Sequence, residues 1–533
     1  MKRQGIAALL VATMLGVGCQ GISQPQPAPS GTPKADEQRA SEANPVLKIG
    51  ILQRFGSQPN DQVSLRGAQG PLILRFGPTR ISADATTVRV QLRPGASEAQ
   101  LVLGSHRSFE SAEADADHWR QQGIATELAQ PNTWEVWADR QRYPTPASRQ
   151  ALARELQARG LPIQWRRQPA AGRQLLVVQA GARRFETPTL TIEGPGGLRV
   201  DGLLYPGSLS LQPNAYGSYT LINQVRLEDY LRGVVPHELG PQAPAAAAAA
   251  QAVLARTYVL RNLRRFRIDG YELCADEQCQ VYRGWQDPSP SSDRAIARSR
   301  GLVLTDDQQL IDALYSANSG GVTARFDDNW RGQPRSYLTA VVDSIQGAWD
   351  LQTAPLNREA NLRRFLDRTS GFNSSGWPRF RWEVARSQAE LTALLQRYLS
   401  SRQHPLARFS QVKDLRVSDR SSSGRALRVE VVTDRGPITL ERDELRRAFR
   451  GLYSTLFYLE PVRQGGRLVS VRFIGGGFGH GAGLSQTGSY HLADAGWDFQ
   501  RILAFYFPGT RLQPLQRGQL LWKPSAESET YAN

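Results

Sequence analysis

The stretch LEDYLRGVVPHELGPQAPAAAAAAQAVLARTYVLRN, Leu227 to Asn262, decides how the chain is read. Leu227, Tyr230 and Leu231 make a short amphipathic turn that leads into the apolar pair Val234-Val235, and a single carboxylate, Glu238, follows. Pro241 and Pro244 mark the start of a helix, because proline is tolerated in a first turn and breaks an interior. Alanine dominates from Ala245 to Arg265, and it gives up no side-chain entropy on becoming helical. Small side chains let neighbouring backbone come close, so this run is expected as a buried central helix. Glu238 then sits just ahead of it, beside Val234, Val235 and Leu239, where a carboxyl keeps its proton longer than in water, as a general acid must. The competing expectation is electrostatic: negative charge is welcome at a helix N-terminus, with no chemistry implied.

Strand patterns lie on both sides. Ahead of the helix, between Arg173 and Gly217, come QLLVVQA, LTIEG, LRVDGLL and LSLQ. After it, RAIARSRGLVLTDDQQLIDALYSANSGG reads as a helix, a strand, a turn at Asp306-Asp307 and a second strand. That strand empties into the polar loop Ser316 to Thr323, the kind of loop on which binding residues tend to sit. Ser387 and Glu390 form a capping box at the head of SQAELTALLQRYLS, and strands follow at LRVEVVT and PITLE. Residues 47–100 alternate in short runs (LKIGIL, PLILRF, TTVRVQL), a β segment expected to pair with later strands.

Residues 101–170 contain an internal repeat. Leu101 to Gly104, the helix-like SAEADADHWRQQG and the strand-like IATELA are echoed by WEVWADR, PASRQALARELQARG and LPIQWRR. Apolar residues recur at helical spacing and each helix ends at glycine, which predicts a βαβ-βαβ sheet with both helices on one face. The expected class is therefore α+β: a strand-rich domain over 171–520 around the alanine-rich helix, with a small βαβ-βαβ domain inserted before it.

Met1 to Gly18 has Lys2, Arg3 and a short apolar run, the pattern of an export signal. Residues 20–46 read as a linker too polar and proline-rich to order itself, and 521–533 as a tail. The net charge is +16 and arginine carries it, since lysine occurs only at positions 2, 34, 48, 413 and 523. Arginine suits a polyanion, and export removes nucleic acid from the candidates. With Cys19 set aside, Cys274 and Cys279 form an even pair, read as a disulfide in preference to a metal site. No histidine lies between His237 and Cys274, and C-x4-C is wider than the tightest zinc knuckles. Zinc is disfavoured and no cofactor is expected.

The pattern VVPHELGPQAPAAAAAAQAVLARTY resembles the signature of the SpoIID/LytB family. Three further blocks match in the same order: CADEQCQVYRG (Cys274 to Gly284), ALYSANSGGVT (Ala313 to Thr323) and GGGFGHGAGLSQTGSYHLADAGWDFQRILAFYFPGT (Gly475 to Thr510). The resemblance implies a cell-wall protein, and specifically a peptidoglycan lytic transglycosylase with Glu238 as catalytic acid. It implies substrate contacts from Arg256, Tyr258, Tyr315, Ser316, Ser319, His480, Ser485 and Gln486. The 101–170 repeat resembles the SPOR domain, whose family binds peptide-stripped glycan strands. Leu15 to Cys19 resembles a lipobox, which implies lipidation at Cys19, a membrane anchor, and a place in the periplasm or cell envelope. Some SpoIID/LytB members modify an amidase instead, and His237, Gly240-Pro241 and the incomplete metal motif depart from the family pattern.

Gly475 to Gly483 satisfies a loose G-x-G-x-x-A, but no second strand with a terminal acid follows, so a dinucleotide site is excluded. Gly483 to Gly488 has one residue too many for a nucleophile elbow. The glycines are expected to bring backbone amides and His480 close to a ligand. Glu228 and Asp229 are expected to face solvent.

Overall fold

A computed structural model describes residues 44–516 apart from 59, 92–96, 170–174, 287–288 and 403. The export signal, Cys19, nearly all of the linker and the tail lie outside the described residues. The class is α+β, as the sequence predicts. Among the described residues no helix is long and apolar enough to cross a membrane.

The alanine run forms the helix Ala245–Arg261, buried continuously from Ala247 to Leu260. A helix buried on every side cannot be amphipathic, which is why its pattern shows composition rather than a 3.6-residue stripe. Thr257 handles its hydroxyl locally, donating to the Val253 carbonyl at 2.8 Å and accepting the Leu304 N–H at 3.0 Å. The helix ends four residues before the Arg265 limit read from composition, where Asn262 caps it.

The helix packs against the helices Leu227–Arg232, Val235–Leu239, Pro290–Arg298, Gln486–Asp494 and Phe499–Tyr506 and the strand Leu302–Asp306, and two sheets of the same body draw strands from the early β segment. Val46–Phe55 pairs antiparallel with Tyr219–Arg226 and parallel with Leu273–Cys274 in a seven-stranded sheet. Gln62–Gly67 and Ala85–Gln91 belong to a six-stranded sheet with Leu175–Ala180.

The chain leaves this body twice and returns each time to the place it left. Ala85–Gln91 and Leu175–Ala180 are hydrogen-bonded neighbours, with Leu175 opposite Gln91. Between them lies a four-stranded sheet, Ser97–His106, Thr126–Ala129, Trp134–Ala138 and Gln164–Pro169, with helices Phe109–Gln121 and Pro146–Ala158. Trp134, Val136 and Ala138 share a core with helix residues Ala112, Ala116 and Leu156, while Trp137 points the other way, against Tyr216 and Ile268.

The second departure begins at Ala324, bridged to Ala482, with the Ala324 N–H donating to Gly481 at 2.8 Å. Inside it two three-stranded sheets and the helix Gln388–Ser400 enclose a separate core that includes Leu391, Leu395, Val429, Val431 and Phe473. Ser387 and Glu390 close the capping box there. This second core lies within the span 171–520 that the sequence reading treats as one domain.

Candidate functional site

Glu238 stands in its own one-turn helix, Val235–Leu239, and Gly240, at φ 89°, turns the chain away before the central helix begins. Only glycine takes that backbone conformation without strain. The carboxyl is therefore outside the first turn of the central helix, and that helix's dipole does not account for its position.

The half-buried Glu238 carboxylate accepts the Val281 N–H at 3.0 Å. Tyr315 and Gln486 direct polar groups at it, and the Gln486 amide also donates to the Glu238 carbonyl at 3.1 Å. Burial raises the carboxyl above its ordinary value, and these hydrogen bonds oppose the rise without cancelling it. Tyr230 donates to the Gln280 side-chain oxygen Oε1 at 3.1 Å, and the Nε2 of the same side chain donates to the Tyr315 hydroxyl at 3.2 Å. Because Tyr315 accepts from Gln280, its own proton is free to point to Glu238. Burial, followed by the charge of Glu238, holds the Tyr315 phenol protonated. Tyr258 is buried in the same cluster, with its phenol likewise pushed up by burial. The niche is thus aromatic and polar around the carboxyl, rather than the aliphatic one expected from Val234, Val235 and Leu239.

Cys274 and Cys279 are joined in a disulfide. Cys274 is anchored on a strand paired with Gly50, so the bond ties the next two residues, Gln280 and Val281, to the sheet. Those two supply the amide chain and the N–H that meet Glu238. The His237 ring lies 2.9 Å from the Gly233 carbonyl through Nδ1.

Several expected site residues play other parts. Arg256 is fully buried and grips Glu228 with two bonds of 2.8 Å, so it holds the fold and does not reach substrate. Glu228, expected to face solvent, is buried by that pairing. Ser319 donates to Asp343 at 2.6 Å and is fully buried. Ser485 caps the helix Gln486–Asp494 and accepts the Ser319 N–H at 3.2 Å. Ser316 is also buried, and its hydroxyl lacks a hydrogen-bond partner among the described residues.

The glycine loop is occupied by protein rather than open to a ligand. A Cβ on Gly477 would stand 2.8 Å from the Asn318 carbonyl oxygen, and one on Gly483 would stand 2.0 Å from that of Leu314. The glycines thus let the two loops pack together, with Tyr315 and Ser316 paired to Leu484 and Ser485. His480 borders Tyr315 rather than Glu238: its Nδ1 accepts the Ala482 N–H at 3.1 Å and its ring packs 5.1 Å from Trp330. Burial, followed by the nearby Arg446 and Arg425, lowers its pKa to about 4.

The site drawn together by the fold is therefore Glu238 with Tyr230, Tyr258, Gln280, Val281, Tyr315 and Gln486. Residues 215–305 match the stage II sporulation protein family, SpoIID. Over that segment the chain is similar to SpoIID. It is 28% identical over 302 residues to the "Amidase enhancer" of Bacillus subtilis, which covers 53% of this chain and 40% of that protein. It is 22% identical over 333 residues to "Stage II sporulation protein D" of the same organism, covering 57% and 80%. An uncharacterized protein of Brachyspira hyodysenteriae is 26% identical over 339 residues, covering 63% and 79%.

The SpoIID-like segment holds Tyr230, Glu238, Tyr258 and the Gln280-Val281 pair, while Tyr315 and Gln486 come from beyond it. Residues 324–483 match a domain of unknown function (DUF8618), and that span coincides with the second departure from the body. The sequence marks Tyr230 only as an apolar position of a short turn and gives Gln280 and Val281 no role of their own. Gln280 and Val281 stand directly after the second cysteine, and that adjacency was the available signal.

Proposed function

We propose that this protein cleaves peptidoglycan glycan strands as a lytic transglycosylase, with Glu238 as its single general acid and base. The observation that carries this reading is a carboxyl raised by burial and met by a backbone N–H, with Tyr315 and Gln486 beside it. Hydrolysis by paired carboxylates needs a second acid to activate water or attack the sugar. Among the described residues, the carboxyl whose charge adds to the rise at Glu238 is that of the exposed Glu277, which makes no hydrogen bond to it.

In the proposed reaction Glu238 gives its proton to the glycosidic oxygen as the C1–O bond breaks. The resulting carboxylate then takes the proton of the sugar's C6 hydroxyl as that oxygen bonds to C1. The product carries a 1,6-anhydro end, and no water is consumed. The attack is intramolecular, so holding the ring in place supplies much of the rate. Tyr315 can donate to the carboxylate between the two transfers.

The protein is exported in this reading and anchored through a lipidated Cys19, with peptide-stripped strands as substrate and the βαβ-βαβ sheet as a SPOR-like glycan-binding unit. No resident cofactor takes part. Loss of a general acid costs about 10²–10⁴-fold, so Glu238→Gln is expected to abolish release of anhydro-ended fragments, measured by mass spectrometry, with glycan binding retained. Fragments released at the wild-type rate by that variant refute the assignment.

The similarity to an amidase enhancer favours a second reading, in which the chain binds wall glycan and stimulates an amidase without cutting. Wild-type protein that releases no fragments but accelerates a purified amidase on intact wall supports it.

A further inference from the structure

The two segments inserted into the body meet at a cavity of about 170 Å³. His106 and Arg107 line it from the βαβ-βαβ unit, Arg402 and the 441–447 turn from the second insertion, and Trp330 lies between them. That volume is well below the ~300–1,000 Å³ of sites for drug-sized ligands, so it suits one small group rather than a peptide or a protein chain.

Five arginines and three carboxylates line the cavity. The carboxylates are already matched: Glu444 by Arg402, Asp443 by Arg447 at 2.9 Å, and Glu441 by Arg428 at 3.3 Å with Arg331 and Arg442 each at 3.6 Å. Arg107 is different. Among the described residues it has no carboxylate within ion-pair distance, and its buried Nε has no hydrogen-bond partner. Its guanidinium lies 4.9 Å from the centre of the Tyr398 ring. A buried donor left unmade is costly, and burial pushes this guanidinium below its ordinary pKa, with Tyr398 and Glu444 opposing the shift and Arg447 and Arg402 adding to it. The Nε is closed off from the cavity, but the guanidinium lines it without a carboxylate of its own, so an anion entering the cavity offsets that charge, and a carboxylate fits the planar guanidinium fork. The Trp330 ring, held against His480 and Phe326, gives the same cavity an aromatic wall on which a sugar ring can pack.

We infer that this cavity is a second ligand site, built by the two insertions together, that takes a carboxylated sugar through Arg107. The choice of sugar rests on the glycan reading above; the need for an anion does not. The ligand meets residues from both insertions, so it bridges them.

The test is isothermal titration calorimetry on the full chain with N-acetylmuramic acid, N-acetylglucosamine and inorganic phosphate. The acid sugar is expected to bind saturably, with the neutral sugar at least about tenfold weaker, which is what one charge-assisted hydrogen bond supplies. Arg107→Gln is expected to weaken the acid sugar about tenfold and Arg107→Lys to recover part of that loss. Glu238→Gln is expected to leave the binding unchanged. Equal binding of the two sugars, full binding by Arg107→Gln, or no binding of the acid sugar overturns the inference. Phosphate that displaces the acid sugar at equal concentration overturns the sugar specificity. Should Arg107→Gln fail to fold by circular dichroism, Arg331→Gln replaces it. That side chain is 63% exposed, and its expected effect is a severalfold loss; unchanged affinity there also overturns the site. Cleavage without this binding refutes the second site alone, and binding without cleavage refutes the proposed reaction alone.

Discussion

Arg256 separates a structural role from a substrate-binding one more sharply than any other residue here. Its side chain is fully buried; Nε and Nη2 donate to the two Glu228 oxygens at 2.8 Å, and Nη1 donates to the Leu302 carbonyl at 3.1 Å. Glu228→Gln leaves the guanidinium buried with its charge uncompensated, and removing one partner of such a pair costs about 3–5 kcal/mol. Unfolding entropy near 2.1 cal/mol/K per residue gives roughly 1 kcal/mol per degree for a body of about 470 residues, so the melting temperature should fall by ~3–5 °C. Arg256→Met should cost a similar amount. The double variant should cost clearly less than the sum, because it leaves no unpaired charge behind, and the shortfall measures the coupling. The assay is thermal unfolding by circular dichroism on the four proteins at one pH, alongside glycan binding at a temperature where all are folded. Binding should be equal across the set. If Arg256→Met melts like wild type and loses glycan affinity, Arg256 is a substrate contact and the reasoning fails.

Glu238→Gln is expected to be more stable than wild type at pH 7. A carboxyl whose folded pKa is raised contributes stability below its unfolded value and loses it as pH rises through the folded one. The gain should therefore vanish in melts near pH 4, and cleavage by the wild type should decline with rising pH as the acid loses its proton. Reducing the Cys274–Cys279 disulfide, or replacing both cysteines with serine, closes no loop in the unfolded chain and should cost about 2 kcal/mol for so short a loop. Activity should drop further than that stability loss explains, because Val281 and Gln280 lose their anchor; melts and fragment release with and without reductant measure both. With its pKa lowered to about 4, His480 should stay neutral from pH 5.5 to 8, and its ring proton resonances should not move over that range. A midpoint near 6.5 would show that the ring is not buried as described.

The central helix was legible because composition points to it: six consecutive residues are alanine, which has the highest helix propensity of any residue type, and burial on all sides asks only for small residues. The repeat in 101–170 was legible because each half carries its own helical spacing. The roles of Arg256, Ser319 and Ser485 were not legible, since a signature residue that pairs with a buried acid or caps a helix looks in sequence like one that meets a ligand. Asp343, which accepts from Ser319, Ser374 and Tyr506, stands in an unremarked stretch far from its partners in the chain. The glycine loop misled for a related reason. Glycines that make room for a ligand and glycines that make room for the Leu314 and Asn318 carbonyls have the same spelling. The second insertion was hidden because its strands follow the body's own strands without a linker-like boundary.

The geometry of the insertions bears on how the glutamate would meet a polymer. A unit spliced between two hydrogen-bonded strands leaves their register intact, so each insertion can be added without disturbing the central helix. The first is nonetheless held to that helix's far end. Arg264 pairs with Glu113 at 2.5 Å, Arg265 pairs with Glu110, and Phe266 packs 5.1 Å from Trp134. Arg265 is buried in this contact, and a buried ion pair with apolar neighbours gives a defined orientation rather than a loose tether. The glutamate lies before the start of the helix and these arginines just past its end, so one rod fixes the distance between the carboxyl and the βαβ-βαβ sheet. In the proposed function, a glycan strand held by that sheet is expected to present its bonds to Glu238 at a set spacing. That follows from Arg264 and Arg265 being paired across the junction, and it would not hold for a unit joined by a flexible linker.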